Sequence, residues 1–144
     1  MAYTRINWQD GESGGTPLSA ENLNKMDEGI YELSPHVLYN NSNGSAQTIT
    51  LNDSAANYSY LEIYFAAENC YRSEKIYSPN QKKIILNVDV LFNASNYYKN
   101  SKWEINGSSI VFKEANQYAL TSSGISDFVN SANAVKITTV IGYK

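Results

Sequence analysis

The chain has 144 residues, 42% of them hydrophobic and only 17% charged, with a formal net charge of −3. That length holds one core plus a short appendage, and the apolar fraction excludes a disordered chain. The acidic balance and scattered basic residues argue against a nucleic-acid partner. No apolar run approaches the roughly 20 residues that span a bilayer, so no membrane partner is expected.

The low charge is made up by Asn, Ser, Thr and Tyr. Such a surface is wet but carries weak fields, as extracellular proteins, virion proteins and sugar binders often do. One cysteine, Cys70, excludes an internal disulfide and a multi-Cys zinc site. The single histidine, His36, leaves one Cys–His pairing to consider. No metal and no cofactor is expected. The opening residues lack a basic stretch followed by an apolar one, so synthesis in a cytoplasm without a signal peptide is expected.

In chain order, residues 1–15 read as a short extended piece and a glycine-rich turn, with Ile6 and Trp8 on one face. Residues 19–33 read as a helix. Ser19 is a good N-cap, Leu18 and Leu23 have the spacing of a hydrophobic staple, and Glu21 suits the positive end of the dipole. Leu23, Met26, Ile30 and Leu33 then recur at steps of three, four and three, a two-heptad seam narrower than the face of a helix lying on a sheet. Either this seam packs on the chain's own β domain, or it joins copies into a parallel bundle; a homotrimer is the expectation. Ser34-Pro35 ends the helix.

From His36 onward the pattern is β. The organising stretch is Tyr60 to Phe65, where Leu61, Ile63 and Phe65 point to a core. Tyr60, Glu62 and Tyr64 form the other side, a tyrosine face around a carboxylate that suits a half-wet surface or a protein contact. Val37–Tyr39, Ala46–Leu51, Glu74–Tyr77, Lys83–Phe92, Tyr97–Ile105, Ser109–Lys113 and Val135–Ile141 are further strands. Asn40 to Gly44 and Asn106-Gly107 are expected to turn, and Glu114 to Ala134 to be a long loop. Short strands with no helical pattern between them predict a mainly β fold. The expected form is an antiparallel β-sandwich or jelly-roll-like domain over residues 36–144, preceded by a segment over 1–35 whose helix seam can oligomerise.

The opening INWQDGESGGTPLSAENLNKMDEGIYEL resembles the N-terminus of tail-tip proteins of tailed bacteriophages and prophages. VLYNNSNGSAQTITLNDSAANYSYLEIYF, KIYSPNQKKIIL and the closing KITTVIGYK resemble a module at the ends of phage minor structural proteins of Gram-positive hosts. The likeness covers about residues 4–92 and 135–144; residues 93–134 match nothing in it. It implies a virion tail location, residues 1–35 as a segment for attachment to other tail or baseplate proteins, trimerisation, and a β domain that touches the host surface, a cell-surface glycan among the possible partners. A non-viral carbohydrate-binding module is the alternative.

No catalytic constellation is expected. His36 and Cys70 lie in no nucleophile–base motif. The acid pairs Glu62/Glu68, Glu74/Asp89 and Glu104/Glu114 carry no glycosidase signature. Asp10-Gly11-Glu12 and Asn52-Asp53-Ser54 lack the regular oxygen spacing of a calcium loop. Tyr97, Tyr98 and Trp103 are the candidate ligand-binding residues, because aromatic rings give flat amphipathic area at little entropic cost.

Overall fold

The computed structural model describes residues 19–92, 95–121, 124–130 and 135–144. Ile6, Trp8 and the Asp10-Gly11-Glu12 segment lie outside the described residues. The chain divides between Ser34 and Pro35 into two units, each described by itself below.

The first unit contributes helix α1 (Ala20–Leu33). The Ser19 hydroxyl accepts from the Asn22 N–H at 3.3 Å, the N-cap arrangement expected of that residue. One turn on, Lys25 reaches back to Glu21 at 2.7 Å, a pair with the acidic residue toward the N-terminus, the favourable order on a helix. Ser34 leaves the helix in an extended conformation because the Pro35 ring disfavours αR before it.

The second unit is a sandwich of two antiparallel sheets. Sheet A is ordered β1-β9-β3-β4, from β1 (His36–Ser45), β9 (Lys136–Tyr143), β3 (Tyr60–Ala67) and β4 (Cys70–Tyr77). Sheet B is ordered β2-β7-β6-β5, from β2 (Ile49–Thr50), β7 (Ser109–Thr121), β6 (Ser95–Asn106) and β5 (Lys83–Phe92), and β8 (Gly124–Asn130) pairs with β7. The mainly β, sandwich-type fold read from the strand pattern is what the chain adopts.

Alternation decides the core. Leu61, Ile63 and Phe65 of β3 face inward and are buried, as are Ile84, Leu86, Val88 and Val90 of β5. They meet Leu38, Ile137 and Val140 from sheet A and Trp103, Ile105 and Ile110 from sheet B in one cluster. A short 3-10 turn at Ala55–Asn57 closes one end. Its loop bonds both sheets, the Asn52 N–H to the Leu38 carbonyl and the Ala55 N–H to the Gly107 carbonyl. Asp53 organises that loop by accepting from the Ser54 N–H, the Asn57 amide and the Tyr58 hydroxyl.

Two expectations are overturned. Asn40 to Gly44 does not end a strand. β1 runs through it to Ser45 with register irregularities, and Gly44 takes a φ of +66° there. A Cβ on Gly44 would lie 2.8 Å from the Lys136 Cβ, so the glycine is needed for close approach as well as for its backbone. The long loop over Glu114 to Ala134 is mostly strand, with β7 continuing to Thr121 and β8 following from Gly124 to Asn130. Its polar sequence disguised it because β7 presents Glu114, Asn116 and Tyr118 on the outer side of sheet B, where no apolar alternation is required.

Candidate functional site

The three candidate ligand-binding aromatics do not form one site. Adjacent residues on a strand point to opposite faces. Trp103 lies inward, 1% exposed, with its ring edge-on to Phe112 at 5.1 Å. Tyr97 packs against the same core. Tyr98 faces outward, where its hydroxyl donates to the Asn87 side-chain oxygen at 2.9 Å, and Tyr97 and Tyr98 together line a depression of about 310 Å³ with Asp89, Leu91, Asn96 and Leu120. Trp103 is thus a core residue. Burial of so large an apolar side chain outweighs any surface role.

The outer face of sheet A gathers tyrosines instead. In register across β9, β3 and β4, the first row is Tyr143, Tyr60 and Tyr77. The second is Ile141, Glu62 and Lys75, extended by Val37 on β1. The third is Thr139, Tyr64 and Ser73, extended by Asn40 on β1. The fourth is Lys136, Ala66 and Tyr71. Residues opposite one another on paired strands share a face, so these side chains form one surface.

Contacts within the surface set its chemistry. The rings of Tyr60 and Tyr143 stack at 4.5 Å with planes 7° apart, and Tyr77 leans on Tyr60 at 5.4 Å. The Lys75 ammonium sits 5.3 Å from the Tyr60 centroid. Both faces of Tyr60 are therefore taken, and this row offers outsiders ring edges and hydroxyls. Glu62 accepts from the Tyr143 hydroxyl at 3.3 Å and from the Ser73 hydroxyl at 3.5 Å. Burial first, and then the Glu62 carboxylate, push the Tyr143 and Tyr64 hydroxyls above the ordinary tyrosine range, so both stay protonated donors at neutral pH.

Farther along, the large side chains thin out. Tyr71, on the edge strand β4, is 70% exposed. Small residues flank it and Tyr64, and two depressions result. One, of about 220 Å³, lies between Tyr64 and Tyr71 and is lined by Thr138, Thr139 and Ile141. The other, of about 410 Å³, lies beyond Tyr71 and is lined by Ala66, Thr138, Lys136, Ser42 and Asn43.

The reactive candidates are dispersed. His36 is in register with Gly142, which pairs with Leu61 at one end of β3, whereas Cys70 pairs with Ala67 at the other end. Strand rise puts these rows roughly 20 Å apart. Glu68, Glu104 and Glu114 each pair with a lysine, respectively Lys99, Lys113 and Lys102. Their carboxyls are held below the ordinary range by hydrogen bonds first and lysine charge second, Asn116 adding the largest share at Glu114. That is the opposite of what a general acid needs. The Asp53 oxygens face hydrogen-bond donors, the arrangement of a loop cap. Among the described residues no group of three or more His, Cys, Asp or Glu is placed to hold a metal ion, and no helix is long and apolar enough to cross a membrane.

The tyrosine side of β3 was legible from Tyr60, Glu62 and Tyr64. Tyr71 and Tyr77 were not placed with it, although Tyr71-x-Ser73-x-Lys75-x-Tyr77 alternates and identifies β4 and its outer face. The β9 threonines gave no signal, because only the register across sheet A brings them beside Tyr64.

No family model matches the chain, and neither does any curated protein or solved structure.

Proposed function

We propose that this chain is a structural component of a phage tail tip, a trimeric receptor-binding or fibre protein that serves host adsorption. Residues 1–35 hold it to its copies and to neighbouring tail or baseplate proteins, and residues 36–144 present the binding surface. The observation that carries this reading is the exposed seam of α1. Leu23, Met26, Ile30 and Leu33 are 47%, 38%, 63% and 85% exposed in the single chain. Aliphatic side chains at heptad spacing leave water favourably, at about 25 cal/mol per Å², when they meet the same seam on a second and third copy. A helix of 14 residues is marginal alone and needs such a partner. Joining three weak sites then raises the effective concentration at each, so that modest single-site affinity becomes firm adsorption.

Light scattering on the intact chain tests this. A trimer is expected at micromolar concentration, with Ile30→Glu shifting the mass toward monomer. A monomeric wild-type chain would overturn the assembly. The second reading, a non-viral carbohydrate-binding module, draws support from the exposed tyrosine face and its two depressions, and it expects a monomer with an idle seam.

A further inference from the structure

The depressions either side of Tyr71 follow from how large and small residues alternate on the outer face of sheet A. Tyr64 is opposite Ser73, and Tyr71 is opposite Ala66. Each ring thus has a small neighbour across the strand pair, and open space lies between the rings. On β9 a register shift beside Tyr64 and Phe65 places Thr138 as the extra residue of a bulge, and its hydroxyl donates to the Tyr64 carbonyl at 3.2 Å. Bulges commonly re-aim a side chain in this way. Thr139 also donates, to the Asn40 side-chain oxygen at 3.2 Å, which leaves its lone pairs to accept from an outside hydroxyl. Beyond Tyr71, the close approach of Gly44 to Lys136 brings Ser42 and Asn43 over the second depression.

We propose that these two depressions form one continuous site for a neutral oligosaccharide, with Tyr71 as the ring between two sugar-binding positions. Resting on the reading of the chain as an adsorption protein, this names the class of ligand and its place on the fold. Thr138, Thr139, Ser42 and Asn43 supply short groups that donate and accept in the same way as sugar hydroxyls, and Arg72, Glu68 and Lys136 in the lining add longer donors and an acceptor. Tyr71 is the exposed ring between them. A pyranose turns a patch of C–H groups to such a ring, and those slightly positive hydrogens suit the negative ring face.

Other ligand classes fit less well. An extended peptide would add a strand to the free edge of β4. That edge carries Arg72 and Glu74 on its inward side, opposite Phe65 and Ile63, and both are exposed. Inward charges on an edge strand oppose pairing with another chain. A polyanion would need a longer run of cations than Arg72 and Lys136, the two in the lining; Lys99 close by is paired with Glu68. Glu68 is already engaged by Lys99 at 2.7 Å and adds little field of its own.

The test screens the full chain against a printed array of neutral and acidic oligosaccharides, then titrates the strongest neutral hit by NMR. Retention of a neutral oligosaccharide of two or more rings is expected, with affinity falling about tenfold or more in Tyr71→Ala and in Thr139→Val. Tyr98→Ala, on the opposite face, is expected to bind like wild type. An array with no neutral hit, a preference for acidic glycans, or equal losses in the Tyr71 and Tyr98 variants would overturn the site. The same sample is weighed by light scattering. A trimer with a blank array removes the site and leaves the tail-tip reading standing. A monomer with binding that depends on Tyr71 removes the trimer and leaves the site.

Discussion

The outer faces of the two sheets are built from similar residues and behave differently. On sheet B much of the polar surface is paired internally, although the Asn116 Oδ1 is buried without a partner. Asn116 donates to the side chains of Asn100 and Glu114, Tyr98 donates to Asn87, and Lys102 and Lys113 pair with Glu114 and Glu104. Asn116 is only 5% exposed although it lies on the solvent side of the strand. On sheet A the tyrosines stack in one row and then give way to small residues, leaving Tyr71, Tyr77 and two depressions open. Sheet B keeps a depression of its own, about 310 Å³ and lined by Asp89, Leu91, Asn96, Tyr97, Tyr98 and Leu120, so the faces differ in how far their polar groups are paired rather than in whether they are open. Tyrosine is enriched where partners meet, which bears on the open Tyr71 and Tyr77.

The comparison is sharpened most by Asn116→Leu. It removes the donor to the Asn100 and Glu114 oxygens, offset in part by the loss of the buried, unpartnered Asn116 Oδ1, so a loss of about 1–2 kcal/mol is expected from urea unfolding. A neutral result would mean that the sheet B face is not held by this network. Next comes Glu68→Gln, which weakens the link from the β3–β4 turn to Lys99 on β6, a bond joining the two sheets. Because the Glu68 side chain is more than half exposed, solvent screening reduces the expected cost at pH 7 to about 0.5–1 kcal/mol. Lys99 lowers the folded Glu68 pKa, first by its hydrogen bond and then by its charge. The contribution is therefore fully present above the unfolded carboxylate value of about 4.3 and is lost as pH falls through the folded value. Wild type and variant should accordingly converge in stability as pH falls through the folded value, and a gap that persists at the acid end of the folded range would show that the pair acts through packing alone. The smallest effect is expected at Tyr77→Ser, about 0.5 kcal/mol or less, because an exposed ring on the sheet A face contributes little to folding. A cost equal to that of Asn116→Leu would erase the difference between the faces.

How much was legible depended on whether a residue's surroundings are local. Ser19 as N-cap, the end of the helix before Pro35, and the inward sets of β3 and β5 all follow from spacing along a single segment, and each appears where it was read. The turn expected at Asn40 to Gly44 failed because Asn-Gly is compatible with a bulged strand when a neighbour such as β9 supplies the hydrogen bonds. The loop expected after Glu114 failed because a strand with a polar outer side lacks the apolar rhythm that announces one. Of Tyr97, Tyr98 and Trp103 only Trp103 leaves the group, because it lies in the core, whereas Tyr97 and Tyr98 line one depression.

The sequence by itself determined the class of fold, the helix and its apolar seam, and which side of β3 is core, because these depend on periodicity and on residue propensity over a few positions. The tertiary structure alone decided that Trp103 is buried, that Glu68 reaches Lys99, and that Tyr71, Thr138 and Asn43 line one depression. Those contacts join residues far apart in the chain, and they exist only once strand order and register are set by packing the two sheets face to face.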